Sequence, residues 1–253
     1  MGWEPLLLAG LGGALIGLLL TLFGGGGSVL ATPWLIYVVG LADVHAAIGT
    51  SAAAVAVNAA TGLAAQARSG RVKWPCASVF ALSGLAGALG GAQLAKQVDG
   101  QALLFWFALA MIAIALSMLL AKKGVGDPGV HLTGPMVFKL APVGLLTGLA
   151  AGFFGIGGGF LIAPGLMAST GMTLANAGAS SLVSVTLFGT ATSASYAASG
   201  QIDWPLFGAL VAGGAVGTLA ALPLAKRLES RVKLARTAFA VMVIAVALFI
   251  LLK

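Results

Sequence analysis

An all-α membrane protein is the fold class this sequence predicts, and three observations carry the prediction. Of 253 residues, 60% are hydrophobic and 8% charged, with a mean hydropathy of +1.08. A soluble domain carries about 25% charged residues, so a water-facing surface cannot be built from this composition. Apolar runs such as 102–121 and 238–252 are unbroken, where a transmembrane β-barrel would show short alternating segments. The chain also repeats itself. Phe23-Gly-Gly-Gly-Gly-Ser-Val-Leu-Ala-Thr-Pro33 matches Phe154-Gly-Ile-Gly-Gly-Gly-Phe-Leu-Ile-Ala-Pro164 at an offset of 131. After a one-residue slip, Thr50-Ser51 matches Ser180-Ser181, Trp74-Pro75 matches Trp204-Pro205, and Leu94-Ala95-Lys96 matches Leu224-Ala225-Lys226.

Taken in order, each half reads as five apolar segments. Residues 5–23 form the first. The sequence Met1-Gly-Trp-Glu-Pro5 before it has a carboxylate in place of a basic region, so neither a cleaved signal peptide nor a lipid anchor is expected. The second, 28–39, is about 12 residues or roughly 18 Å of helix. That is too short for a bilayer core of about 30 Å, and the glycines before it break the preceding helix. Segments 44–67, 74–95 and 101–121 complete the half; 140–154, 159–170, 174–198, 204–225 and 232–252 repeat the series. The boundaries expected are a first repeat over 1–123, a loop over 124–138 and a second repeat over 139–253. The 38 glycines suit close helix packing, as in Gly13-x-x-x-Gly17, Gly87-x-x-x-Gly91, Gly144-x-x-x-Gly148 and Gly213-x-x-x-Gly217. Internal packing is the better reading of these pairs, with a homo-oligomer left open. Cys76, alone, excludes an internal disulfide and multi-cysteine metal sites and reads as a small packing residue.

Charge decides how the halves relate. If both pointed the same way, Arg68, Arg71, Lys73, Lys122, Lys123, Lys139 and Lys253 would share one side and the remaining six cations the other. If each glycine-rich pair is instead a hairpin returning to its starting side, the halves invert. Arg68, Arg71, Lys73, Lys122, Lys123, Lys139, Lys226, Arg227, Arg231, Lys233 and Arg236 then fall on one side, leaving Lys96 and Lys253 on the other. Eleven of 13 cations on one face is what the positive-inside rule expects. The fold expected is therefore two inverted-topology repeats, each a Gly-broken helical hairpin followed by three transmembrane helices, in the bacterial inner membrane with both termini outside. The net charge of +7 sets orientation; a chain with so little aqueous surface offers nucleic acid no groove.

Short, Gly-interrupted segments at matched positions of inverted halves point to a transporter's binding site. Gly24, Gly25, Gly26, Gly27 and Ser28, with Gly155, Gly157, Gly158 and Gly159, would present bare backbone N–H groups at half-helix N-termini, where partial positive charge suits an anion. Glycine leaves no side chain between ligand and backbone. The following helices add Thr50, Ser51 and Asn58, and Ser180 and Ser181, whose hydroxyl and amide groups can donate to an oxyanion without a buried charge. Back-bonding within the helix is their alternative role.

These residues carry a resemblance. The Gly-rich break with a downstream proline, Gly49-Thr50-Ser51 followed by an asparagine, and the Trp-Pro after a Gly-containing turn resemble the TauE/SafE sulfite exporter family, also called the 4-toluene sulfonate uptake permeases. The resemblance runs over residues 6–252. It implies transport of sulfite, sulfonates or related sulfur-containing anions, with the site around Gly24 to Ser28 and Thr50-Ser51 and around Gly155 to Gly159 and Ser180-Ser181. The second half departs from Gly-Thr-Ser by reading Ala179-Ser180-Ser181.

Absences sharpen this reading. Glu4, Asp43, Asp99, Asp127, Asp203 and Glu229 all map to loops or helix ends, whereas cation and proton pumps keep ionisable groups inside their membrane helices. His45, beside Asp43, reads as a polar interfacial residue at a helix start, and His131 sits in a loop. No metal or cofactor is expected, and the partners expected are a small anionic solute and membrane lipid. At 100 mV each charge is worth about 2.3 kcal/mol, enough to hold a monoanion about 50-fold lower inside, so export needs no co-transported proton. An intramembrane hydrolase is disfavoured because the deep serines lack a base. A membrane subunit serving a larger transport or signalling complex is the other alternative.

Overall fold

The computed structural model describes residues 2–120, 126–155, 159–228 and 232–252. Gly157, Gly158, Lys122, Lys123, Glu229, Arg231 and Lys253 lie outside the described residues. Among the described residues ten α-helices follow in order: α1 (Trp3–Phe23), α2 (Ala31–Tyr37), α3 (Val44–Gln66), α4 (Trp74–Ala95), α5 (Gly100–Leu120), α6 (Gly134–Phe154), α7 (Gly159–Thr170), α8 (Leu174–Ala197), α9 (Trp204–Leu228) and α10 (Val232–Leu251), with a 3-10 helix at Gly24–Leu30. α1, α3, α4, α6, α8 and α9 are long and apolar enough to cross a membrane; α5 and α10 contribute the apolar stretches Gly100–Ala113 and Ala240–Leu251. Large apolar side chains such as Leu11, Leu82, Phe138, Leu146 and Leu219 stand exposed on the outside of the bundle, where lipid replaces water as the solvent.

Helix starts follow from their caps. The Asp43 carboxylate accepts from the N–H groups of His45 and Ala46, and Thr173, 130 residues on, accepts from Asn176 N. Asp99 accepts from Gln101 N at 2.9 Å and Asp203 from Leu206 N at 3.0 Å. Pro75 opens α4, as Pro135 opens α6, since a first-turn proline forfeits no intrahelical bond. That proline starts α6 six residues before the expected 140, with Lys139 exposed in its second turn.

Each hairpin folds back on itself. Trp34 Nε1 donates to Leu8 O at 2.9 Å, and Gly27 lies on Leu19 and Leu20, so α2 returns along α1. Gly165 of α7 packs on Val143 of α6, and Asp127 N donates to Gly171 O at 2.9 Å, bringing the end of α7 to where α6 begins. The three longer helices of each half then interlock with the other half. α1 runs alongside α9, and α4 alongside α6. Gly13 and Gly17 face the carbonyls of Leu210 and Gly214, and Gly213 and Gly217 face those of Gly10 and Ala14. Gly148 and Gly152 likewise face the carbonyls of Gly84 and Ala88. The glycine pairs are thus spent on backbone-to-backbone contact inside the molecule. α3 and α8 pack against each other in opposite directions: Gly49 meets Tyr196, Gly189 meets Ala52 and Ala56, and Gly62 meets Leu182. α5 and α10 close one side through Phe107, Met111, Val243 and Ala247. Cys76 is a buried core residue.

Charges segregate to the two ends. One end gathers the loops before α3, α5 and α9, with Asp43, Asp99, Asp203 and Lys96; Lys96 Nζ donates to Ser195 O at 2.6 Å and Ser199 Oγ at 2.9 Å. Glu4 opens α1, which starts at this same carboxylate end. The other end holds Arg68, Arg71, Lys73, Lys139 and Asp127.

Candidate functional site

The hairpin tips meet at the centre, where Gly24–Leu30 packs against α7 and α8. α6 ends on Gly155, whose φ of +64° is left-handed. A side chain is strained there, and a Cβ would also run into Ile48 of α3. Against this turn stands Ser51, wholly buried. Its hydroxyl lies 2.7 Å from Thr32 Oγ1 of α2, 3.0 Å from Ile48 O and 3.4 Å from Gly155 O. Ser51 has one proton for these carbonyls, so Thr32 donates to Ser51. Two helices of the first half, α2 and α3, and the tip of the second thereby converge on two hydroxyls. Beside them is a cavity of about 10 Å³ lined by Thr32, Ile48, Leu103, Leu104, Phe107 and Phe154, room for one water. No ionisable side chain is among those lining residues.

Thr32 is the residue that sequence reasoning missed. Its repeat partner is Ala163, one of several mismatches in that segment, so the repeat did not single it out. Thr50 and Ser180 lie elsewhere and carry one bond in two copies. Thr50 Oγ1 accepts from Asp203 N at 2.9 Å and Ser180 Oγ from Lys73 N at 2.9 Å; both pairs are related by the offset of 130. These hydroxyls clamp the loops entering α9 and α4. Asn58 lies two turns beyond Ser51 against Gly214 of α9, with Nδ2 3.4 Å from Leu210 O. It stands where Phe188 stands against Gly84 in the other half. Ser181 donates to Gly178 O at 2.7 Å within its own helix. The first glycine cluster differs from the expected break of bare amides. Gly24, Gly25, Gly26, Gly27 and Ser28 form a 3-10 helix, whose i→i+3 bonds engage the N–H groups. Gly159 is the first residue of α7 and is buried. Among the described residues no cluster of three His, Cys, Asp or Glu is placed to hold a metal.

A bundle of lipid-facing helices whose two folded-back hairpins meet at a buried hydroxyl pair defines a multi-pass membrane transporter. The chain belongs to the sulfite exporter TauE/SafE family, which residues 9–250 match. It is similar to a "Probable membrane transporter protein" of Xylella fastidiosa (strain Temecula1 / ATCC 700964), 44% identical over 240 residues, covering 94% of this chain and 92% of that protein. The "Probable membrane transporter protein YunE" of Bacillus subtilis (strain 168) is 27% identical over 232 residues, covering 83% of this chain and 82% of its own. No solved structure matches the chain.

Proposed function

We propose that this protein exports small sulfur-containing oxyanions, sulfite or a sulfonate, across the bacterial inner membrane, binding them at Thr32, Ser51 and the Gly155 turn. The observation that carries this reading is a central hydroxyl pair with no ionisable side chain in its lining, held between two hairpins that each return to their own end. In this arrangement Thr32 donates to Ser51 and Ser51 donates to backbone carbonyl oxygen. A bound oxyanion would replace those two bonds with two donated O–H bonds, a near-balanced exchange that lets solute bind and leave. A site that holds one water must widen to admit a four-atom anion, and the tips at Gly24–Leu30 and Gly155 are where it would part. Gly24, Gly25, Gly26, Gly27 and Gly159 line this opening in the same proposal.

Antiparallel packing of the repeat-related α3 and α8, the duplicated Thr50 and Ser180 bonds and the charge segregation support two inverted repeats, divided at the loop between α5 and α6. They also support a basic end in the cytoplasm with both chain termini outside. A hydrolase is not favoured: Ser51 bonds to Thr32 and to backbone carbonyls, and Ser180 accepts from the backbone N–H of Lys73. Flux through purified protein in liposomes, scanning sulfite, sulfonates, thiosulfate and sulfate, tests the proposal. Saturable sulfite or sulfonate flux weakened by Ser51→Ala is expected; no flux of any of these anions through folded protein would overturn it.

A further inference from the structure

A second polar place lies between the carboxylate end and the Thr32–Ser51 cavity, outside the site described above. Tyr196, in the last turn of α8, is fully buried, and its hydroxyl has no hydrogen-bond partner among the described residues. His45 stacks on the Tyr196 ring with centroids 6.3 Å apart and planes at 25°; its Nδ1 is likewise buried and unpartnered. The Lys96 ammonium stands 5.3 Å from the ring centroid. A tyrosine kept only for packing would leave a buried O–H unpaired, a cost that phenylalanine avoids. Two such unpaired atoms meet around one ring.

Their position relates them to the cavity. Tyr196 belongs to an apolar cluster with Ile48 and Leu103, and these same two residues line the cavity. Ile48 and Leu103 are therefore a wall shared by the cavity and the cluster that holds Tyr196. The nearby carboxylates of Asp43, Asp99 and Asp203 each accept backbone N–H groups of their own helices, and Lys96 is the cation facing the ring.

We propose that Tyr196 and His45 form a second station for the transported oxyanion, beyond the Ile48–Leu103 wall toward the carboxylate end. The tyrosine O–H donates to the anion, the imidazole donates through Nδ1 in the tautomer that carries its proton there, and Lys96 supplies the positive field. The proposal rests on the transport reading above. Repeat partners of His45 and Tyr196 are Ala175 and Gln66, so the opposite end has no equivalent, and the route is asymmetric.

That asymmetry is measurable with sulfite as the probe, in vesicles where the protein has a known orientation. Tyr196→Phe keeps the ring and removes one donor. It should raise the half-saturating sulfite concentration about three- to tenfold for flux entering at the carboxylate end, and leave entry at the basic end within about twofold. His45→Gln should shift the same face in the same direction, and serves if Tyr196→Phe does not fold. Unchanged saturation on both faces, or an equal rise on both, would overturn the station while leaving the Ser51 site intact. A parent protein that carries no sulfite and no sulfonate would remove the transport reading itself, and the station with it.

Discussion

Two kinds of buried hydroxyl occupy α2, α3 and α8, and their partners separate them. Thr50 and Ser180 accept from backbone N–H groups of inter-helix loops, so Thr50→Val and Ser180→Ala should lower stability by about 0.5–1.5 kcal/mol each. Solute affinity should hardly change. Ser51 and Thr32 bond to each other beside the cavity, so Ser51→Ala and Thr32→Val should weaken solute binding about two- to tenfold with a smaller effect on unfolding. Thermal unfolding in detergent, measured beside flux saturation, checks both halves of this split. Affinity loss at Thr50 and Ser180 equal to that at Ser51 would return the loop clamps to the binding site. In the sequence, Thr50, Ser51 and Ser180 read alike as small polar residues in apolar helices, and Thr32 did not stand out at all. Spacing places a hydroxyl on a helix but not the direction its proton takes, and that depends on loops 107 and 153 residues away in the chain.

The helices themselves were legible because lipid leaves the backbone little choice: apolar length placed α4 and α7 at their observed bounds. The glycine cluster was less legible. Four successive glycines permit either a break or a tight helix, and packing against Leu19 and Leu20 accompanies the 3-10 form seen. Glycine pairing within the long helices follows the partner, which sequence alone does not name: α1 pairs with α9 instead of with its own half. Gly17→Leu and Gly148→Leu should therefore separate α1 from α9 and α4 from α6, costing about 1–3 kcal/mol or more by overpacking. Gly90→Leu and Gly208→Leu, whose missing Cβ atoms face open space, should be tolerated. Yield of monodisperse protein and its unfolding temperature distinguish the two sets. Equal tolerance at all four positions would mean that the seams are not close-packed.

At the scale of the whole molecule, the proposal of inverted halves draws on the charge pattern and on helix packing, which are independent observations. The cations were sorted by counting loops, whereas α3 and α8 are set antiparallel by side-chain contacts that involve no charge. Position 70 lies in the loop between α3 and α4 at the basic end, and position 201 in the loop between α8 and α9 at the carboxylate end, tied there by the bond from Asp203 N to Thr50. With Cys76 replaced, a single cysteine at position 70 should resist an impermeant thiol reagent in intact cells, and one at position 201 should react. Labelling of both from one side would leave the halves parallel. The same segregation bears on driving force. The cavity lining contains no group that titrates between its two hairpins, and the carboxylates of Asp43, Asp99 and Asp203 are committed to helix caps. A solute anion crossing this centre carries its charge uncompensated, so each unit moved through 100 mV is worth about 2.3 kcal/mol. An imposed potential alone should drive sulfite or sulfonate out of the negative compartment of protein-containing vesicles, and reversing its sign should reverse the flux. Flux that follows a pH gradient and ignores voltage would show that a proton travels with the anion, and His45, the imidazole nearest the wall, would be the first residue to replace.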